Sequence, residues 1–101
     1  MEAPKGDYGY YLNFTITDSD GDAYDLTDYT IKLKCWRAGN PGKLVVNGSC
    51  TPVVEASGTC RYYVTATDFT TIEKYVAELE LTKSGVIEST MTFTINVVES
   101  G

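Results

Sequence analysis

Lys74–Thr82 reads KYVAELELT, and its apolar residues Tyr75, Ala77, Leu79 and Leu81 stand at every second position. Successive side chains of a β-strand point to opposite faces, so this period buries one face and wets the other. Moving outward, the same period runs through Thr59–Thr65 (TCRYYVT), with Cys60, Tyr62 and Val64, and through Val86–Val98 (VIESTMTFTINVV), with Met91, Phe93, Ile95 and Val97. Nearer the N-terminus, Tyr8, Tyr10, Leu12, Phe14 and Ile16 alternate with Tyr11, Asn13, Thr15 and Thr17. Ile31, Leu33 and Cys35 alternate in the same way with Lys32, Lys34 and Trp36. Leu33, Tyr62, Leu79, Phe93 and Ile95 are therefore expected in the core.

Turn chemistry separates these runs. Asp18–Asp22 (DSDGD) reads as a tight turn with Gly21 free to take a positive φ, and Ala38–Gly42 (AGNPG) reads as a loop. Asn47-Gly48 is a two-residue hairpin signal between short strands at 43–46 and 49–54. Glu55–Gly58 and Lys83-Ser84-Gly85 turn the chain again, and Val86–Val98 is expected as the last and longest strand. About seven strands with turns every 8 to 12 residues fit an all-β, immunoglobulin-like antiparallel β-sandwich; a small closed barrel is the structural rival. The expected organisation is an N-terminal tail over 1–7, one domain over 8–98 and a C-terminal tail over 99–101.

A chain of 101 residues with a net charge of −6 makes one domain and repels phosphate backbones, so no nucleic acid partner is expected. Lys32, Lys34, Arg37 and Lys43 form the one basic stretch, and its plain reading is a solvated strand face. Nothing approaches the ~18 apolar residues of a membrane span, and residues 1–7 lack the apolar core of a secretion signal, so no membrane partner is expected. The chain is expected to remain in the cytoplasm that made it unless it is carried out in a larger particle.

There is no histidine, which removes the usual base for a cysteine or serine nucleophile. Of the three cysteines, Cys35 alternates with Ile31 and Leu33 and reads as a free core thiol. A hairpin centred on Glu55 places Cys50 opposite Cys60, where either a cross-strand disulfide or two packed thiols would fit. Asp18, Asp20 and Asp22 resemble the start of a calcium loop, but the glycine and the later glutamate of such a loop are out of place, which leaves a polar turn. Asp25-Leu26 and Asp68-Phe69 each read as a turn-capping carboxylate followed by a core anchor. No catalytic, metal or cofactor site is expected. Outward Trp36, Tyr63 and Tyr11 are the candidate interaction surface, since Trp and Tyr favour interfaces. The final strand, with Glu88 on its outward face and no lysine, is weakly protected if it lies at an edge.

Taken in order, several short motifs also carry a resemblance. They are Leu12–Asp18 (LNFTITD) running into Gly21, Asp25-Leu26-Thr27, Thr30–Leu33 (TIKL), Ala56–Tyr62 (ASGTCRY), Thr67-Asp68-Phe69, Tyr75–Leu79 (YVAEL), Gly85–Ser89 (GVIES) and Phe93–Val97 (FTINV). Together they resemble the N-terminal immunoglobulin-like domain of phage baseplate upper proteins, over about residues 8 to 98. The resemblance implies a non-enzymatic structural protein of a phage or prophage tail. It implies residence in the virion tail or baseplate after synthesis in a bacterial or archaeal host. It implies attachment to other tail or baseplate proteins, or to itself, and no cofactor. The alternative class is a free-standing binding module for carbohydrate or calcium, using the outward aromatics or the Asp18–Asp22 turn.

Overall fold

Leu44–Val54 is the longest strand, with 11 residues, and it belongs to both layers of the fold. The computed structural model describes residues 1–90 and 92–99. The strands are β1 (Glu2–Pro4), β2 (Tyr11–Thr15), β3 (Thr30–Arg37), β4 (Leu44–Val54), β5 (Thr59–Tyr63), β6 (Lys74–Lys83), β7 (Val86–Ser89) and β8 (Phe93–Val98). Pairing runs β1-β8-β6-β3-β4-β5-β2, with β7 on the same edge of β6 as β8. The first part of β4 pairs with β3 as far as Cys50, and Thr51–Val54 pairs with β5. The register shifts between Pro52 and Val54, where a proline without an N–H interrupts the ladder. The sheet turns over there into two layers, and the result is an all-β sandwich.

The alternating residues meet between the layers. Leu33, Tyr62, Leu79 and Ile95 are buried as their spacing requires; Phe93 is half-buried and packs against the core. Phe93 tilts against Phe14 across the layers, with ring centroids 5.6 Å apart. Met91 lies outside the described residues.

Five features depart from the sequence reading. Glu2–Pro4 is not tail: β1 runs parallel to β8, with Ala3 beside Val97 and 0% exposed. Lys5 N–H bonds the Val98 carbonyl at 2.7 Å and Gly6 N–H bonds that of Phe69 at 2.8 Å, which extends the attachment. Three residues are too few to display a period, and the strand is held by an edge that another segment supplies. Of the proposed C-terminal tail, Ser100 and Gly101 lie outside the described residues.

Asn47-Gly48 is not a turn but part of β4. Gly48 faces Leu33 in the ladder, and the Tyr62 ring packs so closely on it that a Cβ would lie 2.5 Å from Tyr62 Cε1. The glycine is there for a close approach, not for a turn. The following hairpin shifts in consequence of the bulge: Pro52, not Cys50, stands opposite Cys60, and Cys50 stands opposite Ile31.

The expected single strand over 86–98 is broken. Thr90 N–H bonds the Leu79 carbonyl at 2.9 Å, but Leu79 N–H is taken by the Thr90 hydroxyl at 3.0 Å rather than by a main-chain carbonyl. That side chain ends β7, and β8 resumes along the same edge. Glu88 also differs. It stands opposite Leu81, on the inner side of β7, and accepts the Tyr24 hydroxyl proton.

Candidate functional site

Chemistry-bearing side chains come first. Cys35, Cys50 and Cys60 are free, buried thiols. Burial pushes the Cys35 thiol up to about 12. The Cys60 thiol beside it, with burial, holds Cys50 well above the ordinary thiol value. Thiols that stay protonated are poor nucleophiles and poor metal ligands. Cys50 and Cys60 act on each other in spite of the shifted register: Cys60 raises the Cys50 thiol, and Cys50 lowers that of Cys60.

The acids serve turns. Asp68 is buried and its Oδ2 accepts the Tyr62 hydroxyl at 2.7 Å and the Thr65 N–H at 2.8 Å. Burial, and then this carboxylate, raise the Tyr62 phenol above its usual pKa. Asp25 Oδ1 accepts the Thr27 hydroxyl at 2.6 Å and its N–H at 3.0 Å, and these bonds lower the Asp25 pKa. Leu26 and Phe69, the residues that follow, are buried anchors. In the Asp18–Asp22 turn, Asp18 Oδ1 accepts the N–H groups of Asp20 at 2.9 Å and Asp22 at 3.0 Å, and Gly21 has φ +84°. The Oδ1 oxygen of this carboxylate is occupied by its own loop. Among the described residues no group of three or more cysteine and acidic side chains is gathered as a metal site would require.

The candidate interaction residues fall on different layers. Tyr11 and Tyr63 are ladder partners on the outer side of β2 and β5, with 42% and 52% of their surface exposed. Their rings meet edge to face at 5.3 Å. Arg61, beside them, places its guanidinium carbon 4.0 Å from the Tyr11 ring centroid, a cation–π geometry. Trp36 belongs to β3 and is half-buried, beside Val76 of β6. The basic residues on that strand do not form a free strip: Lys34 Nζ meets Glu80 at 2.5 Å and Arg37 Nε meets Glu73 at 3.1 Å.

The family described as BppU N-terminal domain matches residues 3–101. This chain belongs to that family. No curated protein and no solved structure matches it. The family is that of the baseplate upper protein, so the chain is a structural baseplate component, and the phage tail is where such a component resides. The match begins at Ala3, the residue that β1 buries against β8.

Within this baseplate domain, two groups escaped the sequence reading. Arg61 could have been placed by the same alternation that placed Tyr63, since both stand outward on β5 opposite Asn13 and Tyr11. The second is a clasp at one end of the sandwich. The Tyr24 hydroxyl lies 3.2 Å from that of Tyr29 and donates to Glu88, which raises the Tyr24 phenol above its usual pKa. Glu88 follows Tyr24 by 64 positions, and no spacing rule joins residues that far apart.

Proposed function

We propose that this domain is a non-enzymatic attachment module, which docks onto other phage tail or baseplate proteins. The observation that carries the reading is the Tyr11–Tyr63 pair with Arg61 over it, on the outer side of β2 and β5, where their other side chains, Asn13, Thr15 and Thr59, are short and polar. Tyr and Arg are the side chains most often found at interface hot spots, because a rigid ring or planar cation contributes contact at low entropic cost. The second layer is β4-β5-β2 and the first is β1-β8-β6-β3-β4, and we read this connectivity as immunoglobulin-like. A sandwich of this kind is a stiff platform for such a face. Trp36 belongs to the other layer and serves at most a separate contact.

The test is co-purification of the chain with the proteins encoded by neighbouring tail genes. The wild-type chain should retain one of them. The double substitution Tyr11→Ser with Tyr63→Ser should weaken retention roughly tenfold or more, as loss of a hot-spot pair does. No retention by any baseplate protein, together with a measurable hydrolase activity, would overturn the reading.

A further inference from the structure

The two layers share β4 and part on the opposite side of the sandwich. There, β2 and the turn after it look across a cleft of about 690 Å³ at β7 and the start of β8. Phe14, Leu79, Leu81 and Phe93 supply its apolar floor. Tyr24 and Glu88 clasp one end, and Asp18 stands beside them at the rim.

Both walls of the cleft are strand edges with free main-chain groups. Val64 N–H bonds the Tyr10 carbonyl and Ile16 N–H bonds the Gly58 carbonyl, so the even-numbered residues of β2 carry the ladder to β5. In an antiparallel pair the alternate residues turn their N–H and C=O the other way, which directs Tyr11, Asn13 and Thr15 toward the cleft. On the facing wall, Val86 and Thr90 bond β6, so Ile87 and Ser89 direct theirs outward. Among the described residues, neither edge has a strand partner on the cleft side. Neither edge carries the lysine or proline that blunts an exposed strand.

We propose that this cleft receives one extended segment of another baseplate protein as an added strand along β2. The inference rests on the docking role argued above and names the form of the partner. From Asn13 to Asp18 the cleft can hold about six extended residues, or ~20 Å of strand. Its floor takes the apolar side chains of an alternating segment, and its edges take the main chain. Asp18 and Glu88 at one end call for a lysine or arginine at that end of the segment; among the lining residues the one cationic group is the α-amino group of Met1, bonded to the Thr94 carbonyl at the other side. A second copy of this chain is a poor source, because its alternating runs are already paired in its own sheet. The occupant therefore comes from a different protein.

Thr15→Pro removes an N–H that faces the cleft and takes no part in the β2–β5 ladder, so the sandwich should keep its circular dichroism and melting cooperativity. Co-expressed with the baseplate protein that the wild type retains, this variant should lose binding roughly tenfold or more, whereas Thr15→Val should bind as the wild type does. Glu88→Gln keeps an acceptor for Tyr24 and should weaken binding while flattening its dependence on salt. Hydrogen exchange of the wild-type complex should show new protection at the amides of Asn13, Thr15, Ile87 and Ser89. Wild-type binding that persists in Thr15→Pro and Glu88→Gln, with no new protection at those amides, would overturn the strand-addition site and leave the docking role standing. Absence of any binding by the wild type would overturn both. Self-association with protection at the same amides would make the occupant a second copy and refute the proposal as stated.

Discussion

Outside the β8-β6-β3 layer, Lys34 meets Glu80; outside the β5-β2 layer, Tyr11 lies against Tyr63 with Arg61 above it. β3 and β6 are hydrogen-bonded along both edges, whereas β2 is bonded along one. The difference teaches how a small sandwich divides its tasks. Cross-strand charges of opposite sign stay solvated and offer a partner little, because each charge would have to be dehydrated on contact. Aromatic rings and an unpaired edge offer area and main-chain bonding at little desolvation cost. The first layer supplies rigidity, and the second supplies contact.

The largest expected effect tests the first layer. Leu79 is buried opposite Leu33, so Leu79→Ala removes packed methyl groups and leaves a void. Such changes cost about 2–5 kcal/mol, a large share of a domain's stability. Urea denaturation should show this loss with an unchanged slope. A loss below about 1 kcal/mol would mean that the inward face of β6 is not the core of the domain.

Two glycines with the same backbone sign sharpen the comparison inside the second layer. Gly58 has φ +72°, and a Cβ there would lie 2.4 Å from the Ile16 carbonyl oxygen and 2.9 Å from that of Tyr24. Gly21 has φ +84° and nothing within 4 Å. Gly58→Ala should cost about 2–3 kcal/mol or more, since backbone must move as well as strain. Gly21→Ala meets the strain alone and should cost about 1 kcal/mol. Equal melting temperatures for the two variants would show that Ile16 and Tyr24 can yield, and that β2 is less firmly held to β5 than its ladder suggests.

Why some of this was legible in the chain and some was not follows from the length over which each signal acts. The alternation of Tyr75 to Leu81 names both its strand and its buried face, because period two repeats within one element. The Asp25-Leu26 and Asp68-Phe69 turns were legible for the same reason: cap and anchor are adjacent. Ala3 was not, since one buried residue in a three-residue strand makes no period. Gly48 misled because Asn-Gly is a local turn signal, while the reason for this glycine is Tyr62, a residue of another strand. The outward face of Tyr11 and Tyr63 could be named strand by strand, but their contact needed the β2–β5 register. The cleft was beyond reach, since it exists only where two edges far apart in the chain face each other.

A smaller effect concerns the thiols that sit between the layers. We expect oxidation to join Cys50 to Cys60, not to Cys35, in peptide maps of the oxidised chain. The link closes a short loop, and the shifted register sets strain against its entropic benefit, so the net change in stability should stay within about 1 kcal/mol. With all three thiols buried, and Cys35 and Cys50 also held above the ordinary thiol value, alkylation of the native chain near neutral pH should be slow and should accelerate on unfolding. A bond from Cys35 to either of the others would show that β3 and β4 can shift against each other.

The smallest effect on stability carries the comparison back to the two outer faces. Lys34 and Glu80 keep about a fifth of their side-chain surface in water, at 23% and 20%, so solvent screens the pair. Lys34→Ala should cost no more than about 1 kcal/mol, and less as salt is raised. Tyr11→Ala should cost a similar amount, since its ring contributes an edge-to-face contact of about 0.5–1.5 kcal/mol and remains partly wet. Stability therefore does not separate the two positions; binding does. If the faces differ as argued, Tyr11→Ala weakens retention of the baseplate partner and Lys34→Ala leaves it unchanged. The reverse result would move the contact to the charged face, where Trp36 lies beside Val76, and would require the partner to displace ion pairs in order to bind.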